Sequence, residues 1–284
     1  MNKQYDVRAV SLDLDGCCFP KNKLPEQPDL LAAYLKTQEG QDCVINLSPY
    51  LSRQPPLTFA INTGRSWSAS YPVVQAMAGD GLIMAVEHGH GIRMPGEDKP
   101  KGIGEIDRKY ERQMMALREI ADTIYRDPTI AAHRIDKDYF VAVRIPKDAD
   151  PEEFYKMIYG RLSPTQREMM EDKDGIGAFY SHGAIDIRSR DLSKGTALRQ
   201  MAQIADVSLE NWLVVEDTDR VVLLQNAGVC TWDTNLAGYL GCPSDASEDV
   251  QRGLQMYTEY DRYHIASQEN GWGTLEILKH FLGD

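Results

Sequence analysis

A doubly wound α/β fold, with a parallel sheet and a second domain inserted into it, is the architecture this sequence predicts. Three observations predict it. Short apolar runs, Val7–Leu12, Leu57–Asn62, Leu82–Val86 and Trp212–Val215, lead into polar or acidic residues, as strands buried on both faces do. Segments with helical spacing separate the first three, and strand–helix alternation argues for parallel pairing. Between residues 87 and 190 that alternation lapses, and it resumes after Ser193.

Taken in order, Val7–Leu12 is the first strand. Pro28–Glu39 follows as a helix with Leu30, Leu31, Tyr34 and Leu35 on one face. Residues 40–56 are long for a connection and end in Pro55-Pro56, which predicts a helix extension and an irregular loop. Leu57–Asn62 is a strand, Ser66–Ala78 a helix, Leu82–Val86 a strand. Gly89, Gly91, Pro95, Gly96, Pro100, Gly102 and Gly104 then make a turn-rich stretch with a short hairpin. Glu105–Arg126 is expected as one long helix, with Ile106, Tyr110, Met114, Leu117, Ala121 and Ile124 along one stripe. Ala132–Pro146 reads as strand or hairpin, Pro151–Arg161 as helix and Gly177–Ile187 as strand. Ser193-Lys194-Gly195 opens the next helix, before Trp212–Val215.

Composition narrows the class. The chain has 284 residues, 42% hydrophobic and 26% charged, which suits a soluble globular protein with a sizeable core. No apolar run approaches the ~20 residues that cross a bilayer. The polar start, Met1–Asp6, lacks a secretory pattern, so a cytoplasmic location is expected. Five cysteines without CxxC or Cys/His zinc spacing predict reduced thiols, and Cys17 and Cys18 read as small residues filling a tight turn. A net charge of −12 argues against nucleic acid and anionic membranes as partners. A small anionic substrate stays compatible with it, because a local metal and a few cations dominate a small site.

The chemistry concentrates at Ser11-Leu12-Asp13-Leu14-Asp15-Gly16. Residues two apart in a strand project the same way, so Asp13 and Asp15 point together beyond its C-terminal end. Open α/β sheets place ligands at that end, and Gly16 permits a sharp turn there. Paired carboxylates suit a hard divalent cation, and one of them suits nucleophilic attack on phosphorus. Three further pieces follow in order: Thr63-Gly64-Arg65 at a strand end, Lys194-Gly195 at a helix start, and Glu216-Asp217 after an apolar strand. Singly each has a plain reading, as a strand-end turn, a solvated lysine or a helix N-cap.

As a set these pieces resemble the haloacid dehalogenase superfamily, and the resemblance spans nearly the whole chain. Glu87-His88-Gly89 stands where its sugar-phosphate phosphatases often carry Glu-Asn-Gly. Ile135–Arg144 resembles a cap strand pair of the sucrose- and trehalose-phosphate phosphatase branch, and Ile185-Asp186-Ile187 the cap's return to the core. Ala266–Gly271 resembles the segment before that group's last helix. The resemblance implies a core of residues 1–86 and 191–284 with a C2-type cap at 87–190. It implies Asp13 as nucleophile, Asp15 as general acid and base, Thr63 as a hydroxyl donor to the phosphoryl group, and Lys194 as the balancing cation. Mg²⁺ would be held by Asp13, Asp15 through its backbone carbonyl, and Asp217. Gly64, Arg65, Glu87, His88 and, from the cap, Lys137 are the expected substrate-facing residues.

The expected activity is Mg²⁺-dependent hydrolysis of a small phosphorylated metabolite, a sugar phosphate, through an aspartyl phosphate. The alternatives are a phosphosugar mutase of the same superfamily and a catalytically impaired metabolite-binding protein. The last is motivated by departures from the motif. Val221 replaces the acid usual four residues beyond Asp217, Glu216 a glycine and Arg220 an asparagine, while Cys17 follows DxDG in place of threonine. Glu216 or Asp219 is then left to supply the missing acid.

Overall fold

The computed structural model describes residues 5–20, 28–53, 56–78, 81–172, 175–181, 183–217, 222–223, 236–257 and 261–283. It divides into two units, one of Met1–Pro100, Lys194–Asp219 and Trp232–Asp284, the other of Lys101–Ser193 and Arg220–Thr231.

The first unit begins with strand β1 (Ala9–Leu12), followed by short helices α1 (Pro28–Tyr34), α2 (Gln38–Cys43) and α3 (Ser48–Leu51). Where the sequence suggested an extension and a loop, α2 is a separate helix, because Thr37 turns extended and its side chain accepts the Gly40 N–H as an N-cap. Strand β2 (Thr58–Asn62), helix α4 (Trp67–Ala78), strand β3 (Ile83–Val86) and strand β4 (Gly91–Arg93) follow.

The second unit runs through β5 (Lys101–Gly102), α5 (Ile103–Ile106), α6 (Glu111–Ile124), α7 (Pro128–Ala131), β6 (Arg134–Ile135), β7 (Val141–Arg144), α8 (Pro151–Arg161), α9 (Pro164–Glu171), β8 (Ile176–Ser181) and β9 (Ala184–Ser189). The single helix expected over Glu105–Arg126 is broken. Asp107 adopts extended backbone and its carboxylate accepts the Lys109 N–H, which ends one helix and starts the next turn. Ile106 consequently leaves the buried stripe and is 43% exposed, whereas Tyr110, Met114, Leu117 and Ile124 stay buried. Helix α9 carries its own start signal, Ser163-Pro164-Thr165-Gln166. The Ser163 hydroxyl accepts the Gln166 N–H and the Gln166 side chain accepts the Ser163 N–H. The sheet of this unit is antiparallel in the order β11-β8-β9-β7-β6, where β11 is Val222–Leu223.

The chain completes the first unit with α10 (Lys194–Ala205), β10 (Trp212–Val215), β12 (Tyr239–Cys242), α11 (Glu248–Tyr257), β13 (Tyr263–Ile265) and α12 (Asn270–Leu282). Seven of its strands pair in the order β13-β12-β10-β1-β2-β3-β4, parallel except for the last pair. Every residue of β1, β3 and β10 is buried, which explains their unbroken apolar runs. Strand order reverses at β1: the chain proceeds to β2 and β3 on one side and returns to β10 and β12 on the other. The C-terminal edge at such a reversal is where this architecture opens a crevice. Asp13, Thr63 and Glu216-Asp217 all follow strands that end there.

Candidate active site

Asp13 extends the β1–β10 ladder by one bond, its N–H donating to the Val215 carbonyl at 3.1 Å. Beyond it the chain closes a tight turn. Gly16 has φ 76°, its N–H reaches the Phe19 carbonyl at 2.7 Å, and the Cys18 N–H reaches the Leu14 carbonyl at 2.8 Å. Cys17 and Cys18 are wholly buried in this turn, and burial first, then nearby carboxylates, push both thiols well up. They are packing groups there and stay protonated. The Thr274 hydroxyl of α12 donates to the Cys17 carbonyl at 2.7 Å, fixing the turn from below.

The Asp13 carboxylate is engaged on both oxygens. The Leu14 N–H donates to Oδ1 at 2.7 Å and the Lys194 ammonium to Oδ2 at 2.6 Å. Lys194 opens α10, and Asn62 at the end of β2 sets that start by donating from Nδ2 to the Lys194 carbonyl at 2.8 Å. Glu216 lies on the other side of the ammonium, its Oε1 3.5 Å from Nζ. Glu216 and Asp217 are buried, the former held by its N–H to the Gly241 carbonyl at 3.2 Å, the latter by the Ser247 N–H on its carbonyl at 2.9 Å. Asn62 and the Lys194–Glu216 pair escaped the sequence reading. The only signal for either was adjacency to a motif residue.

Thr63 continues the β2–β3 ladder, with its N–H on the Ala85 carbonyl at 3.0 Å and its hydroxyl accepting the Arg65 N–H at 3.2 Å. Arg65 grips Asp15 as a fork, Nε on Oδ2 at 2.6 Å and Nη2 on Oδ1 at 2.7 Å. Glu87 is buried and His88 half-buried, and their backbone N–H groups donate to the Arg65 and Thr63 carbonyls. The structure therefore gathers Asp13, Asp15, Thr63, Gly64, Arg65, Glu87, His88, Lys194 and Asp217 in the first unit. Lys137 belongs to the second unit, between β6 and β7, with Nζ 5.4 Å from the centre of the Phe140 ring.

Charge shows what this cluster fits. Burial, followed by the carboxylates of Asp217 and Asp15, pushes the Asp13 carboxyl up to about 7 against the pull of Lys194. Burial opposes the Lys194 charge, yet Asp13, Glu216 and Asp217 together outweigh it and raise its pKa. Three buried carboxylates surround the Lys194 ammonium, and Arg65 pairs with Asp15. Carboxylate and carbonyl oxygens suit a hard divalent cation, so the donor set fits Mg²⁺. Among the described residues no group of three or more His, Cys, Asp or Glu side chains is gathered for a metal. The expected set is consistent with that, since it draws on two side chains and one backbone carbonyl. Asp219 and the departures at Arg220 and Val221 lie outside the described residues.

No family model and no curated protein matches the sequence. Solved structures do match its fold. The sucrose-phosphatase of Synechocystis sp. PCC6803, solved with sucrose and phosphate, superposes with a TM-score of 0.57 at 14% identity over 98% of each chain. A trehalose-6-phosphate phosphatase related protein gives 0.56 at 16% identity, covering 97% of this chain and 98% of that one. A phosphatase of the HAD enzyme superfamily from Bacteroides thetaiotaomicron gives 0.51 at 17% identity, over 98% and 96%. The fold is that of the haloacid dehalogenase phosphatases. Within the haloacid dehalogenase fold, the expected α/β core with a second unit is what the structure has.

Proposed function

We propose that this protein is a phosphomonoester hydrolase acting on a small phosphorylated metabolite, a sugar phosphate, with Mg²⁺. The observation that carries the reading is the Lys194–Asp13 contact of 2.6 Å inside an acidic cluster at the strand-order reversal. A binding module has little use for a carboxylate buried, oriented by a backbone N–H and paired with a buried cation. Asp13 would attack phosphorus, forming an O–P bond as the P–O bond to the leaving alcohol breaks. Asp15, released from the Arg65 fork and protonated, would give its proton to the departing alkoxide, then as carboxylate take one from the water that cleaves the aspartyl phosphate. Thr63 would donate its hydroxyl to a phosphoryl oxygen, and Lys194 would hold Asp13 in place and offset phosphate charge. Asp13, the Asp15 carbonyl and Asp217 would hold Mg²⁺, which when bound neutralises phosphoryl charge.

Sugar phosphate as the substrate class draws support from the sucrose-phosphatase and trehalose-phosphate-related neighbours. In this reading the second unit is a C2-type cap that selects the leaving group, with Lys137 among its substrate-facing residues. No helix among the described residues is long and apolar enough to cross a membrane, in keeping with a proposed cytoplasmic enzyme. The test is phosphate release from a panel of sugar and polyol phosphates with Mg²⁺. Turnover of one or a few members, lost in Asp13→Asn, is expected. Equal and negligible release by both proteins across the panel would refute the reading.

A further inference from the structure

The turn after β3 is strained. Glu87, His88 and Gly89 take φ of 52°, 57° and 86° in succession, and only the third is a glycine. Left-handed backbone costs a non-glycine residue about 1–2 kcal/mol, less for asparagine, whose short polar side chain bonds locally. The turn is nevertheless firmly placed. The Glu87 N–H donates to the Arg65 carbonyl at 3.0 Å, the His88 N–H to the Thr63 carbonyl at 3.1 Å, and His90 Nδ1 lies 2.5 Å from the Glu87 carbonyl. Strain held by surrounding bonds points to a use for the side chain it presents.

That side chain lies on the Thr63–Gly64–Arg65 loop. A Cβ on Gly64 would stand 2.7 Å from His88 Cε1 and 2.8 Å from Nε2. Gly64 is not among the residues with positive φ, so its backbone does not require glycine. The space does, because the imidazole fills it. The two cations of the site face acids, Lys194 with Asp13 and Glu216, Arg65 with Asp15. An incoming phosphate dianion meets a guanidinium and an ammonium that already face carboxylates, so a further donor beside the Thr63 hydroxyl adds to its hold.

We propose that His88 is a phosphate-binding residue, its imidazole Nε2–H donating to an oxygen of the phosphoryl group held at Thr63 and Gly64. This deepens the phosphatase reading and rests on it. The test is calorimetric binding of inorganic phosphate in Mg²⁺ buffer to wild type, His88→Asn and Gly64→Ala. His88→Asn should keep or raise the melting temperature, since asparagine tolerates the turn, while weakening phosphate at least tenfold. Gly64→Ala, which displaces the ring, should weaken phosphate comparably and add little in the His88→Asn background. Wild-type affinity in both single variants, or no phosphate binding by the wild type, overturns the assignment. The two readings fail differently. Phosphate binding that depends on His88 without turnover of any panel member refutes the hydrolase alone, whereas turnover with His88-independent binding refutes the assignment alone.

Discussion

Replacing Lys194 with methionine tests the charge architecture of the site directly. The substitution keeps most of the side-chain volume, so it leaves little cavity and isolates the loss of the ammonium. That ammonium lies 2.6 Å from Asp13 and 3.5 Å from Glu216, and the three side chains are 13%, 10% and 6% exposed. Removing one partner of a buried pair leaves the other charge uncompensated, at a cost of about 3–5 kcal/mol, against the ~1 kcal/mol or less of a solvent-exposed pair. Urea unfolding followed by circular dichroism, with metal chelated, should therefore show Lys194→Met losing about 3 kcal/mol or more. Adding Glu216→Gln removes one of the stranded carboxylates and should recover part of that loss. Mg²⁺ should stabilise the wild type by an amount that grows with its concentration, about 2.7 kcal/mol at a hundred times the dissociation constant. A loss below about 1 kcal/mol, unchanged by Glu216→Gln, would mean Lys194 is a solvated lysine and the cluster carries no buried charge balance.

Two further outcomes follow from contacts in the first unit. Gly271→Ala would bring a Cβ to 2.5 Å from Ile45 Cγ2 and 3.0 Å from the Cys18 carbonyl, so it should destabilise by about 1–3 kcal/mol and lower turnover by shifting the Asp13–Cys18 turn. Denaturant melts and phosphate release on the same preparation check it, and unchanged values in both would refute it. One acid-sensitive contribution should come from His280, whose ring stacks on that of His264 with centroids 4.2 Å apart. Burial, then His264, lowers the His280 pKa, and against a burial penalty the Ser267 and His264 donors lower that of Glu276. A depressed pKa contributes stability that is present above the unfolded value and lost as pH falls through the folded one. His280 should therefore cost stability below about 6.5 and Glu276 below about 4.5, against the opposite contribution of Asp13, and His280→Phe should remove the first of these. Melting temperatures from pH 8 to 4 that are parallel in the two proteins would refute this.

Residues whose position is fixed by strand geometry were readable in the sequence. Asp13, Thr63 and Asp217 follow apolar runs whose burial leaves no alternative to a central strand, and a strand's end sets where the next side chain stands. Lys194 was readable through the helix it opens. Contacts with partners distant in the chain were not. Arg65 looked like a substrate ligand, and only the folded chain shows its fork on Asp15, fifty positions away. Periodicity carries no information about such pairings, since each is decided by which strand ends become neighbours.

Glu216 shows the same point at the centre of the site. By sequence it was a departure, an acid in place of a glycine beside Asp217 and a candidate for the acid missing at Val221. In the fold its carboxylate is buried and points to Lys194. A glycine there would remove one of the carboxylates around Lys194. Glutamate places a second carboxylate 3.5 Å from the ammonium, which raises the acid count of the cluster. The departure thus changes the charge balance around Asp13 while leaving its contacts with Leu14 and Lys194 in place. For that reason the Lys194→Met and Glu216→Gln pair, measured with and without Mg²⁺, tests whether the charge balance of this cluster is linked to a bound cation.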